Sequence, residues 1–268
     1  MSDAVVARWD GFLNQIQQRF TGIMNEAREG CAMLTRQPDF NPIVMGNAWT
    51  GIEHRVRELR TKVDDTWREA VEPKFEEAGA SNEIITRERF KSEQMADWLE
   101  VETDRTRIAI YCDATRAMMD EGRKAVAKGS QCTQCGAALT VPFGFRAVNI
   151  HCSHCRTVNT YEPGSNIRLV EAMGIHPLCE EAAWQAKLAM REAEKALRKA
   201  RPETINDLRR FEHAQLDYWH TYLTFRVNLL PELAPAFDKD LRGKMAHWYQ
   251  AMETNAVWAA AGRVRALA

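Results

Sequence analysis

Two cysteine pairs, Cys132-Thr-Gln-Cys135 and Cys152-Ser-His-Cys155, stand sixteen residues apart. A Cys-x-x-Cys turn aims two sulfurs at one point, and two such turns complete a tetrahedron around a zinc ion about 2.3 Å from each sulfur. One pair alone serves thiol–disulfide exchange equally well. Two pairs at this separation read instead as a zinc ribbon. Four thiolates leave no coordination position for water or substrate. The expected cofactor is therefore a structural Zn2+ held by Cys132, Cys135, Cys152 and Cys155, which folds its segment and performs no chemistry. His151 and His154 flank the second pair, but four sulfurs suffice, and both are expected outside the coordination shell.

The segment around the cysteines must hold them. Gly136 suits a knuckle that requires an unusual backbone angle. Leu139 and Val141 alternate with Ala138 and Thr140, Val148 and Ile150 alternate up to the second pair, and Thr157–Tyr161 follows before Glu162-Pro-Gly-Ser165. This pattern predicts a three-stranded ribbon. The turn between the first two strands carries Phe143, Phe145 and Arg146, residue types enriched at binding hot spots, where one truncation costs about 2 kcal/mol or more. Either these side chains form a contact surface for a partner protein, or the rings pack on the ribbon or the helices. A segment this short has little core of its own beyond zinc.

Leu139-x-Val-Pro142-x-Gly144, Val148 and Cys152-x-x-Cys155-x-Thr-Val-Asn159 resemble the small zinc finger of the plant lesion-simulating-disease proteins. That pattern runs Cys-x-x-Cys, Leu, Tyr-Pro-x-Gly-Ala, Val, Cys-x-x-Cys. The resemblance covers residues 132–159 only, with Gly136 in place of the family's Arg and Phe145 in place of its Ala. It implies a zinc finger that binds other proteins in cell-death and stress regulation.

A chain of 268 residues can bury a substantial core as one large or two ordinary domains. Charged residues make up 27% of it, yet the net charge is only −1. This balance argues against a protein whose main task is to coat nucleic acid, which needs a basic surface. Beyond the four metal-site cysteines, Cys31, Cys112 and Cys179 form an odd remainder, which points to a reducing compartment and a cytoplasmic location. The first residues have neither a basic start nor a long apolar run, and no later stretch approaches the apolar length of a membrane span. No membrane insertion is expected.

The rest reads as helix. Val5, Trp9, Phe12, Leu13, Ile16, Phe20, Ile23 and Ala27 recur every three or four residues, with Gln37-Pro-Asp-Phe-Asn-Pro42 as the stop. Trp49, Ile52, Val56, Leu59 and Val63 keep the spacing of a coiled-coil seam, continued by Trp67 and Val71, which makes self-association through that seam an expectation. Residues 82–128 contain no proline, and Ile84, Phe90, Trp98, Val101, Ile108, Tyr111, Cys112, Thr115 and Met119 trace one face. A continuous helix there would be about 70 Å long. After the ribbon, three more helices are predicted: one to about Arg201, one from Pro202 to Pro231, and one carrying Leu241, Met245, Trp248, Met252, Ala256 and Ala259 to about Gly262. The expected fold is mainly α, an elongated bundle of about six long helices with a small β zinc ribbon inserted. Its segments are residues 1–128, 129–165 and 166–268, the last packing on the first.

Other constellations carry less chemistry. Lys187, Arg191, Lys195 and Arg198 share one helix side and could grip phosphate or an acidic partner, although Glu192 and Glu194 dilute their field. His213, Asp217 and His220 share a face but lack the second motif and extra carboxylates of a di-metal bundle. There is no phosphate-loop, nucleophile-elbow or His-Glu-x-x-His motif. The chain reads as a non-catalytic intracellular adaptor that binds partner proteins through helical faces and the ribbon. A nucleic-acid-associated regulator using the ribbon and the Lys187–Arg198 stripe, or a zinc–thiol redox switch, is the alternative.

Overall fold

The computed structural model describes residues 2–37, 40–262 and 265–266, with the side chains of Ser2 and Asn166 outside the description. Before the ribbon lie α1 (Ser2–Thr35), α2 (Pro42–Thr66), α3 (Glu72–Glu77) and α4 (Asn82–Ala127). After it come α5 (Ser165–Leu169), α6 (Ile175–Ala182), α7 (Trp184–Lys199), α8 (Ile205–Leu229), α9 (Phe237–Met252) and α10 (Ala256–Ala260). The fold is mainly α with a small inserted β element. Among the described residues, three helices before the ribbon (α1, α2, α4) and three after it (α7, α8, α9) have sixteen residues or more. The predicted stop after α1 includes Pro38 and Asp39, which lie outside the described residues.

The chain forms two compact units, Met1–Ala114 and Thr115–Ala268. The division falls inside α4 rather than at residue 128, because the last turns of α4 pack with the segment that follows. A Cβ on Gly122 would run into Ile167 and come within 3.2 Å of Phe143. The ribbon therefore shares a unit with the helices after it.

In the first unit, the three-four spacing of α1 buries Trp9, Leu13, Ile16, Phe20, Ile23 and Ala27. Asn41 caps α2 by accepting a hydrogen bond from the Ile43 amide at 2.9 Å, and Pro42 takes the first helical position, where its missing N–H is harmless. The seam of α2 is consumed internally. Trp49, Val56, Leu59, Val63 and Trp67 are all buried, and Trp67 meets Trp9 at 5.6 Å and Phe75 at 6.2 Å. Ile52 of the same seam is half-buried.

The inner face of α4 buries the predicted Ile108, Cys112, Thr115 and Met119, but its earlier part differs from the apolar one predicted. Phe90 is 44% exposed, while Glu88, Ser92 and Thr106 are buried beside Leu99 and Ile110 at helical spacing. Each polar group has a partner. The Glu88 carboxylate lies 2.6 Å from Lys91 and 3.0 Å from Arg87, Thr106 accepts from Arg28 at 3.1 Å, and Ser92 donates to the Arg89 carbonyl at 2.7 Å. A buried polar side chain is tolerated when it is hydrogen-bonded.

In the second unit, α7, α8 and α9 enclose a core of Ala193, Leu208, Phe211, Met245, Trp248 and Tyr249, with Trp258 of α10 completing it. Thr204 and Asp207 form a capping box that starts α8. The last predicted helix is broken: α9 ends at Met252, and Asn255 restarts the chain by accepting from the Trp258 amide at 3.0 Å. Between α5 and α6 the helix widens into a π turn, Val170–Gly174, with Gly174 against α4. Among the described residues, no helix is long and apolar enough to cross a membrane.

A Cβ on Gly174 would lie 2.6 Å from Thr115 Oγ1 and 2.7 Å from its Cγ2. Gly174→Ala is expected to cost about 1–3 kcal/mol by overpacking. Thr115→Ala removes both obstructing atoms, so urea denaturation of the single and double variants should show a coupling of about 1 kcal/mol or more. Strict additivity would disprove the contact.

Candidate metal centre

Each cysteine pair sits on a tight knuckle, and the two knuckles repeat one hydrogen-bond pattern. In the first, the Cys132 amide donates to the Ala137 carbonyl at 2.8 Å and the Gly136 amide donates to the Cys132 carbonyl at 2.9 Å. In the second, Cys152 donates to Thr157 and Arg156 donates to Cys152, both at 2.9 Å. The residue after the second cysteine is left-handed in both, Gly136 at φ +72° and Arg156 at φ +63°. Glycine adopts this backbone freely and arginine does so under strain.

Each knuckle lies beside its own short ladder. β1 (Ser130–Gln131) pairs antiparallel with β2 (Ala138–Leu139), and β3 (Val148–His151) pairs with β4 (Val158–Tyr161). The element is thus two separate two-stranded ladders, not one three-stranded ribbon. The extra strand β1 went unseen because Ser130-Gln131 carries no apolar alternation.

The four sulfurs converge. They all lie within 4.8 Å of one another, with Cys132 to Cys155 at 3.5 Å and Cys135 to Cys152 at 3.7 Å. Disulfide sulfurs would be about 2.05 Å apart. A tetrahedron with 2.3 Å metal–sulfur bonds has edges of about 3.8 Å. The spacing thus fits one thiophilic ion and no disulfide. Cys132 and Cys152 are buried, Cys155 is half-buried and Cys135 faces solvent. His151 and His154 are exposed beside the group.

Left to themselves, Cys132, Cys135 and Cys155 compete for charge. Cys132 is drawn down to about 6, first by the Cys135 backbone amide against the effect of burial, with the Gln134 amide, Asn159 and Cys155 assisting. Cys155 is drawn down by the Thr157 side chain and backbone. Cys135, although the Ala137 amide favours its thiolate, is pushed up to about 12 by Cys155, burial, Cys132 and Cys152. Adjacent groups of like charge cannot all ionise together. A bound divalent cation removes that conflict.

Asn159 joins the two halves. Buried on β4, it accepts from the Thr133 amide at 2.9 Å and from Thr133 Oγ1 at 3.0 Å. It donates to Cys132 Sγ at 3.5 Å and to the Thr157 carbonyl at 3.1 Å. The sequence pattern includes Asn159 without assigning it a role. The available signal was a residue type disfavoured in strands standing inside a strand.

The remaining predicted residues are placed as follows. Phe145 is 9% exposed and meets the half-buried Phe143 edge-on at 5.7 Å. Arg123 of α4 lies 5.2 Å over the Phe143 ring. Arg146 is exposed, bonded to Glu171 through Nε at 2.6 Å and 3.8 Å from Glu232. The turn therefore faces its own unit with one ring buried and its arginine engaged. On α7, Lys187 pairs with Glu180 at 3.1 Å, Lys195 with Glu192 at 2.7 Å and Arg198 with Glu194 at 2.5 Å, while Arg191 is half-buried. The stripe is laced with acids. His213, Asp217 and His220 are exposed on α8. Of the other cysteines, Cys31 and Cys179 have thiols raised by burial, Cys179 to about 12.

In comparisons with protein-family models, curated proteins and solved structures, none matches this chain.

The repeated knuckle geometry is directly testable. Gly136→Ala forces a Cβ into a left-handed turn and should destabilise the metal-loaded protein by about 1–2 kcal/mol. Arg156→Gly relieves the same strain at the equivalent position, so its effect should be smaller than that of Gly136→Ala or opposite in sign. Thermal melts of the two variants with metal bound would measure this, and equal destabilisation would contradict the shared geometry.

Proposed function

We propose that this protein is a non-catalytic adaptor of a reducing compartment. A structural zinc ion held by Cys132, Cys135, Cys152 and Cys155 staples its middle segment to the helices that follow, and helical faces meet partner proteins. The observation that carries the reading is the convergence of four thiol sulfurs within 4.8 Å of one another. A closed four-sulfur site suits zinc and leaves no position for a substrate. The resemblance to the lesion-simulating-disease finger agrees with a protein-binding role. The inward-facing turn of Phe143 and Phe145 favours the helices as the contact surface. Met33, Ile43 and Val44, all among the exposed large apolar residues, lie on either side of the α1–α2 connection in sequence and are the first positions to probe. The paired α7 stripe weighs against phosphate binding.

The test has two arms. Protein purified without added metal should contain one zinc per chain by elemental mass spectrometry. Cys152→Ser should lose it and unfold at lower temperature. Affinity capture with an Ile43→Glu, Val44→Glu variant should lose partners that the wild type retains, with zinc content unchanged. Metal-free, fully folded wild type would defeat the zinc reading. An identical capture list would dismiss that helical face.

A further inference from the structure

A primary amide can donate two hydrogen bonds and accept two. The buried Asn159 side chain makes all four, and they reach two different knuckles. Thr133 N–H and Oγ1–H meet its oxygen, while its nitrogen serves the Cys132 sulfur and the Thr157 carbonyl. This arrangement fixes the orientation of the amide, since a flipped group would set N–H against N–H and oxygen against sulfur. The linkage crosses 26 residues between Thr133 and Asn159, and it joins halves of the element whose two ladders share no strand. A cation would otherwise have to gather two independent Cys-x-x-Cys turns.

We infer that Asn159 is the positioning residue of the metal centre, clamping the first knuckle to the strand that leaves the second and giving the Cys132 sulfur an N–H donor. The inference rests on the zinc reading above. Asn159 touches no ion itself. It sets the separation of the cysteine pairs before an ion arrives and stabilises the charge on one ligand afterwards. Partners outside the coordination shell of other metal sites change affinity about 10–100-fold when removed.

The experiment uses the full chain, Co2+ as a spectroscopic probe and competition for Zn2+ against a chromophoric chelator. Wild type is expected to take up one Co2+ with the charge-transfer bands of a tetrathiolate. Asn159→Ala should bind Zn2+ about 10–100-fold more weakly and shift the sulfur-to-cobalt band. Asn159→Asp keeps the oxygen that faces Thr133 but offers no N–H to Cys132, so it should lose at least as much. Thr133→Ala, which retains the backbone N–H, should lose less than either. An Asp variant that matches wild type in affinity and spectrum would overturn the inference.

A second measurement needs no variant. In wild type loaded with 113Cd2+, the Asn159 side-chain amide proton should show a scalar coupling to the metal through the Cys132 sulfur. Its absence overturns the inference even if the variants fail to fold. Wild type that takes up no Co2+ would instead defeat the zinc reading itself, so the two failures are distinguishable.

Discussion

Convergence of four sulfurs on one point is the constraint on which the middle of the chain depends. The two ladders there contain two and four residue pairs. Isolated two-stranded hairpins are marginal in water at best. Binding of structural zinc releases about 10–16 kcal/mol in small peptide sites, far more than a few ladder hydrogen bonds at about 1 kcal/mol each. An ion held by the four sulfurs would supply what ladders this short cannot supply alone.

From the sulfurs the constraint passes outward through the turn after β2. Holding both knuckles holds Phe143 and Phe145, and the Phe143 ring reaches α4 near Gly122 and Arg123 while Phe145 packs edge-on against it. Arg146 adds ion pairs to Glu171 and Glu232, but exposed pairs contribute little, typically under about 1 kcal/mol. The aromatic contact contributes more, because ring burial and edge-on pairing both stabilise it. Phe145 is buried and Phe143 half-buried in these contacts, while the Arg146 side chain stays exposed.

How much of this was legible in the sequence follows from what each signal measures. The convergence of the four cysteines was plain, because two Cys-x-x-Cys turns at this spacing aim their sulfurs at one point and need no tertiary context. The six long helices were plain too, since three-four apolar spacing reports burial directly. The face of α4 was legible from Ile108 to Met119 but not around Phe90. Phe90 looks buried by type and Glu88 looks exposed, and their true places depend on Lys91 and on Trp9, whose indole donates to the Glu88 carbonyl at 3.2 Å. The break after Met252 was equally hidden, because Asn255 acts through a local cap and leaves the apolar period unchanged. The role of Asn159 is invisible to any periodicity, for its four bonds are made to groups far away in sequence or on a neighbouring backbone.

Glu88, Thr106 and Asn159 answer one problem in two settings. An apolar seam is tolerant of sliding, since Leu packs against Leu in several registers. A buried polar atom is not, because only one register presents its partner and every other leaves it stranded at about 1–3 kcal/mol. Arg28 of α1 meets Thr106 of α4, and Lys91 of α4 bridges Glu88 to Asp10 of α1 at 2.7 Å. These links tie α1 to α4 at two separate places. Asn159 pins one knuckle to the other in the same way. What surrounds the polar group differs between the two places, apolar side chains in the helices and four converging sulfurs in the ribbon. The polar group contributes uniqueness, deciding which of several nearly equivalent packings the chain adopts.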